Sequence, residues 1–279
     1  MKIYKLENGV AVESDNSGAF YFFHQAEWDN FINRDDLYDW LKTQILDQNP
    51  LDSAWFQAQT IVAPIQNQEI WAAGVTYLRS KVARMEESKE SGGDTFYDKV
   101  YDAERPEIFF KGTAVRAVGT NGFVKIRKDS TWDVPEPELT LFINSNNNIV
   151  GYTIGNDMSS RSIEGENPLY LPQAKVYDQC AGLGPCLYVP KNPIPLDTKI
   201  RLEIHRNNEV VFEGETLIDQ MKRSHTELAE FLTRECTFPK GVYLMTGTCI
   251  VPDFPFTLQS SDVILIEIDH IGVLKNVVF

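Results

Sequence analysis

"WDVPEPELTL", residues 132–141, is the stretch on which the reading of the whole chain turns. Glu136 and Glu138 stand one residue apart, interleaved with Pro135 and Pro137, just ahead of an apolar run. Side chains alternate between the two faces of a strand, so both glutamates project to the same side. Proline brings no N–H to a ladder, which puts the segment at a sheet edge or at the entrance to a strand. Two neighbouring carboxylates repel each other, and if buried together they need a raised pKa, a strong cation or a metal ion. On spacing alone two interpretations are open. The pair is either solvated at a strand edge, or half of a site for a hard divalent cation, which carboxylate oxygens bind.

The next segments add to the second interpretation. After one hairpin comes "GYTIGNDMSSRS" (151–162), with Asp157 at the end of an apolar strand, where it can stand as a third carboxylate beside the first two. Three carboxylates with several waters suit octahedral Mg²⁺, with Mn²⁺ or Ca²⁺ as substitutes. Then follows "LPQAKVYDQCAGLGP" (171–185), in which Lys175 is isolated in a weakly polar loop punctuated by Gly and Pro. Solvation at the surface is the ordinary alternative for such a lysine.

The 279 residues, 43% of them hydrophobic, can bury one large core, or a large and a small one. Outside the quoted segments the pattern is mostly β. Strands are expected at 107–112, 139–144, 149–155, 199–205, 209–213 and 262–269, with hairpin turns at the Asn-rich 145–148 and 207–208. Residues 1–23 read as short strands, 26–48 as one helix with apolar residues at helical spacing, and 224–232 as a helix opened by a Ser224/Glu227 capping box. The polar stretch 80–91 reads as a helical surface lid. The net charge of −14 makes nucleic acid and anionic membranes poor partners, and it also opposes a small anionic substrate unless local cations or a metal offset it. No run of 18 apolar residues is present, the N-terminus lacks a signal-peptide core, and the four cysteines form no CxxC. A cytoplasmic protein with buried, reduced thiols is expected.

In order, "EPEL" (136–139), "GYTIGNDMSSRS", "QAKVYDQCAGLGP" (173–185), "MTGTCIVP" (245–252) and "DVILIEIDHIGVLKN" (262–276) resemble the signature segments of the fumarylacetoacetate hydrolase family, over roughly residues 70 to 279. The resemblance implies an α+β fold: a mixed β-roll as catalytic domain over 70–279, and a small N-terminal α+β domain over 1–69. It implies a divalent metal on Glu136, Glu138 and Asp157, an active-site lysine at Lys175, an arginine at Arg161, and Thr248 near substrate. One departure matters. Carbon–carbon hydrolases of the family carry a histidine in a "YxxHA" motif to activate water, and Ser80 stands at that place in "GVTYLRSKVARMEES" (74–88). None of the four histidines falls in this stretch. The pattern resembles instead the family's sugar-acid branch. It implies a metal-dependent dehydratase acting on a 2-keto-3-deoxy sugar acid, such as 2-keto-3-deoxy-arabinonate, which would yield 2-oxoglutarate semialdehyde.

That chemistry needs a base for the C3 proton and an acid for the leaving C4 hydroxyl. Lys175 is the first candidate for proton transfer, since a lysine desolvated beside a cation loses its proton more easily. Glu107, beside the apolar "IFF" strand, is the second, with a salt-bridged strand end as its alternative; Glu164 is a weaker one. Arg79, Lys111 and Arg161 are the cations expected around the substrate's carboxylate and hydroxyls, and Ser80 and Gln173 can bind hydroxyls. The competing enzyme is a hydrolase cleaving a carbon–carbon bond of a 2,4-diketo acid; tautomerase or decarboxylase activity and a non-catalytic metal- or acid-binding protein are further alternatives. The resemblance also implies a homo-oligomer, dimer or tetramer.

Overall fold

The computed structural model describes residues 1–15, 17–79 and 99–279. Among these the main element is a mixed ten-stranded sheet. From one edge it runs through Phe20–His24, Gly9–Glu13, Lys2–Leu6, Ala181–Tyr188, Ile149–Asp157, Pro137–Ile143, Val242–Met245, Glu69–Gly74 and Glu107–Thr113, with Ala117–Val118 pairing off Ala181–Tyr188. The strand begun by the quoted segment therefore lies in the interior of the sheet, antiparallel to both of its neighbours. Of the two places open to its prolines, the strand entrance is the one taken: Pro137 is the strand's first residue.

The alternation along this strand sorts its side chains. Leu139, Leu141 and Ile143 belong to a core shared with a second, five-stranded sheet through Leu202, Ile266 and Leu274, and with the helix His225–Thr233 through Leu228 and Leu232. Phe142 points the other way, into a second core with Tyr243 and Met245, covered by Trp28, Phe31, Ile32, Leu37 and Leu41. Glu138 shares the parity of Phe142, so the carboxylates stand on the face that the N-terminal helices cover. Residues 1–69 supply both that helical cover and three strands of the sheet, joined through Lys2↔Tyr188 pairing. The α+β architecture is the expected one, and the six expected strands are all present.

The hairpin turns carry their expected geometry, with Asn207 and Asn208 both at positive φ (54° and 66°), as a two-residue turn of this hand requires. Ser224 accepts the Glu227 N–H and caps its helix. The single helix expected over 26–48 is two helices, Trp28–Ile32 and Leu37–Gln44. The break has a tertiary cause. Asn33 accepts the Ser145 N–H, and Asp35 accepts side-chain amides from Asn144, Asn146 and Asn148, so the chain leaves the helix to clasp the Asn-rich turn. Those three amides hold the Asp35 carboxyl below its ordinary pKa. All four cysteines are free; Cys180 and Cys186 are buried as expected, whereas Cys236 is exposed and Cys249 half-buried. No helix among the described residues is long and apolar enough to cross a membrane. The lid expected at 80–91, and Ser80 with it, lies outside the described residues.

Leu141→Ala opens a void between the two sheets and should cost about 2–5 kcal/mol in urea denaturation. Val273→Ala, at a half-exposed position on the second sheet, should stay within about 0.5 kcal/mol of the parent.

Candidate metal centre

Glu136 ends the proline-spaced entry, Glu138 is the second residue of its strand, and Asp157 is the last residue of the neighbouring strand, Ile149–Asp157. The ladder bond from Asp157 N–H to the Glu136 carbonyl (2.9 Å) locks these strand ends together. The three carboxylates are buried, and each brings an oxygen to within 4.8 Å of the others.

Three cations close on them. Lys175 lies at the end of a short helix, Leu171–Lys175, that begins with a proline in its first turn, where the expectation was a loop. Its fully buried ammonium donates to Glu136 Oε2 (2.5 Å) and Asp157 Oδ2 (3.2 Å). Arg161, the first residue of the helix Arg161–Glu166, places its guanidinium 2.6 Å from Glu136 Oε1. Lys111, also fully buried, stands 2.6 Å from Asp157 Oδ1 and donates to the carbonyls of Met158 (2.9 Å) and Lys175 (2.5 Å). Its strand carries a bulge at this point, because Trp71 pairs with Phe110 and Ile70 with Gly112, leaving Lys111 out of register. A bulge is a common means of re-aiming a side chain beside a site. The Lys175 carbonyl is a free helix-end acceptor, which the Lys111 ammonium satisfies.

The cavity at this cluster measures about 20 Å³ and is lined also by Gly74, Val75, Phe109, Gly247 and Thr248. That is room for one water-sized or ion-sized guest. Gly247 donates its N–H to Glu138 Oε2 (2.6 Å) from a left-handed conformation (φ +95°), and a Cβ there would lie 2.1 Å from Thr76 Oγ1. Val75 also has positive φ (53°), a region that β-branched residues rarely occupy. Thr76, next to it, is tied to the Thr246 carbonyl (2.8 Å), so the strained turn is held against the glycine loop.

The donor set fits a hard divalent ion. All three acidic groups offer oxygen, and the Glu138 carboxyl is out of balance. Burial, and then the charges of Asp157 and Glu136, push its pKa well above the ordinary carboxylate range, against the opposing pull of Lys175 and the Gly247 N–H. With three carboxylates and three cations the cluster is close to neutral. A dication would leave it positive, and so attractive to an anion in a chain of charge −14.

The other sequence candidates distribute as follows. Glu107 begins its strand opposite Gly74, and a Cβ at Gly74 would meet Glu107 Oε2 at 2.1 Å, so the carboxylate lies directly against a residue of the cavity wall. Thr248 is buried in that wall, its hydroxyl accepting the Ile250 N–H (3.2 Å). Glu164 is buried and accepts from Ser159 Oγ (3.2 Å). Gln173 is exposed, and Arg79, also exposed, stands 3.8 Å from Asp253. Gly74, Val75, Phe109 and Gly247 were not singled out from sequence. Of these only Gly247 carried a signal, as the glycine of a "TGT" loop following an apolar strand.

Comparison with known proteins gives the same direction from three sides. The family model described as fumarylacetoacetate (FAA) hydrolase C-terminal matches residues 70–279. The chain is 48% identical over 231 residues to a probable 2-keto-3-deoxyxylonate dehydratase of Haloferax volcanii, covering 82% of this chain and 78% of the relative. It is 44% identical over 218 residues to a 2-dehydro-3-deoxy-D-arabinonate dehydratase of Saccharolobus solfataricus, covering 77% and 72%. Among solved structures, 2-keto-3-deoxy-D-arabinonate dehydratase complexed with magnesium and 2,5-dioxopentanoate matches with a TM-score of 0.84 at 32% identity, over 100% of this chain and 98% of that one.

Mg²⁺ at about 100 times its dissociation constant should add about 2.7 kcal/mol to stability, read as a rise in melting temperature, and Glu138→Gln should abolish the rise. Glu138 has a folded-state pKa raised by burial and by the neighbouring carboxylates, so it binds a proton more tightly in the folded metal-free protein than in the unfolded chain. Its contribution to metal-free stability is present at low pH and lost as pH rises through that pKa. The Mg²⁺-induced shift should therefore shrink on acidification, as protons compete for the site.

Proposed function

The chain belongs to the fumarylacetoacetate hydrolase family, and we propose that it is a metal-dependent dehydratase of a 2-keto-3-deoxy sugar acid of the arabinonate or xylonate kind. The observation that carries this is the convergence of three buried carboxylates and Lys175 in a chain nearly half identical to named dehydratases.

Glu136, Glu138 and Asp157 would hold Mg²⁺, with Mn²⁺ or Ca²⁺ as possible replacements. A divalent ion there supplies Lewis-acid polarisation of the α-keto acid. Lys175 takes the C3 proton, since its amine reaches the centre of the cluster. Glu107, against Gly74, donates the proton that lets the C4 hydroxyl leave as water, which leaves a C3=C4 unsaturated ketone; transfer of a C5 proton to C3 converts that into the C5 enol, whose tautomer is the keto aldehyde. Arg161 and Thr248 stand where substrate oxygens can reach them. Lys111 was expected beside the substrate carboxylate. Its ammonium is held by Asp157 and two main-chain carbonyls, so in this mechanism it braces the metal ligand and the helix end that carries Lys175. Arg79, Ser80 and Gln173 remain the candidates for the sugar-acid hydroxyls.

Hydrolysis of a 2,4-diketo acid is the weaker alternative, because no histidine lines the described cavity to activate water. The same proposal includes a homo-oligomer, dimer or tetramer, working in the cytoplasm. Strongly exposed apolar residues such as Val115, Leu169 and Phe279 are material for subunit contacts.

Incubation with Mg²⁺ and a panel of 2-keto-3-deoxy and 2,4-diketo acids should yield a semicarbazide-reactive keto aldehyde from the first group. A pair of shorter acids from the second group, with no keto aldehyde from the first, would overturn the proposal. Lys175→Met should lower kcat by about 10²–10⁴-fold while Mg²⁺ still binds in calorimetry. Glu107→Gln should lower kcat more than it raises KM.

A further inference from the structure

Asp157 faces the carboxylate cluster, so Asn156, one residue earlier on the same strand, faces the opposite way, into the layer between the two sheets. There its side-chain amide donates to Asn276 Oδ1 (3.3 Å), on the strand Gly272–Val278 of the second sheet. Asn276 in turn donates to the carbonyls of Gly119 (3.2 Å) and Gly122 (3.4 Å). Both asparagines are fully buried. Gly182 makes the pairing sterically possible, since a Cβ at that position would lie 2.3 Å from Asn276 Oδ1 and 2.9 Å from Asn156 Cβ.

The place of this pair in the register gives it its importance. Asn156 lies opposite Pro137, the residue between the two metal-site glutamates, and opposite Gly182 on the other side. One peptide further on, Asp157 N–H bonds the Glu136 carbonyl. Besides the apolar packing between the sheets, the backbone from which all three carboxylates project is thus tied, from behind, to the other sheet by this amide–amide contact.

That contact is expensive in stability. Asn156 Oδ1 is buried with no hydrogen-bond partner, whereas apolar residues at both positions would fill such a layer without an unmade bond. A hydrogen-bonded amide pair, unlike an apolar contact, accepts one relative placement of the two strands. We infer that Asn276, acting through Asn156 in the space left by Gly182, is a positioning residue that holds Asp157 and the flanking glutamates at metal-binding separation. The inference rests on the metal site proposed above.

Calorimetric titration of Mg²⁺ into Asn156→Leu and Gly182→Ala, together with melting in EDTA, tests it. The dissociation constant should rise about tenfold in both, as for other residues that orient metal ligands. Metal-free Asn156→Leu should melt close to the parent, because leucine removes the orphaned Asn156 Oδ1 while leaving Asn276 Oδ1 without its donor, one unmade bond in exchange for another, and higher Mg²⁺ should restore its turnover. If Asn156→Leu does not fold, Asn276→Ser is measured in its place with the same expectation. Dissociation constants within about twofold of the parent, or an affinity loss that only follows a loss of metal-free stability, overturn the positioning role. Failure of the parent protein itself to bind Mg²⁺ sinks the metal site, whereas normal binding by parent and variants alike sinks only the role of Asn276.

Discussion

Mutual repulsion among Glu136, Glu138 and Asp157 is the constraint around which the described site is built. Three carboxylates this close and this buried are not tolerated without compensation. The chain answers with charges drawn from distant parts of its length: Lys111 from a bulged strand, Arg161 and Lys175 from two short helices, and the Gly247 N–H from a loop. Removing any one partner of such a buried cluster leaves an uncompensated charge behind. The arrangement is balanced without a dication and positive with one. With a dication bound, the cluster would offer the proposed α-keto acid a local positive field against the chain's overall charge of −14.

The fold provides this by using the two faces of one sheet differently. One face is apolar and packs on the second sheet; the other carries the carboxylates at the strand ends and is sealed by helices from the N-terminal segment. Alternation along Pro137–Ile143 does the sorting, so a residue that anchors the sheet and a residue of the acidic triad are neighbours in sequence. Strain collects at the rim, in the left-handed Val75 and Gly247, and is held there by the hydrogen bond from Thr76 to Thr246.

The strands, their hairpins and the acidic triad were legible in the sequence because each is written in local terms: period-two alternation, Asn turns, and carboxylates at strand ends. What was not legible depends on contacts between distant residues. The helix break at 33–36 exists to meet Asn144–Asn148, and nothing in 26–48 announces it. Lys111 was expected among the cations around the substrate; that two of its partners are main-chain carbonyls is something no side-chain pattern reveals. Lys175 reaches two of the carboxylates, but its helix, five residues long, is too short to show a period. The Asn156–Asn276 contact spans 120 positions and had no local mark.

The interior position of Pro137–Ile143 also bears on how the molecule opens. Paired on both sides and covered on both faces, this strand should exchange its amide hydrogens last, through global rather than local opening. Outer strands such as Phe20–His24 and Glu209–Leu217 can fray without disturbing it. The acidic triad is thus rooted in the slowest-breathing part of the described sheet, and partial unfolding would release the periphery long before it disturbed a metal held there.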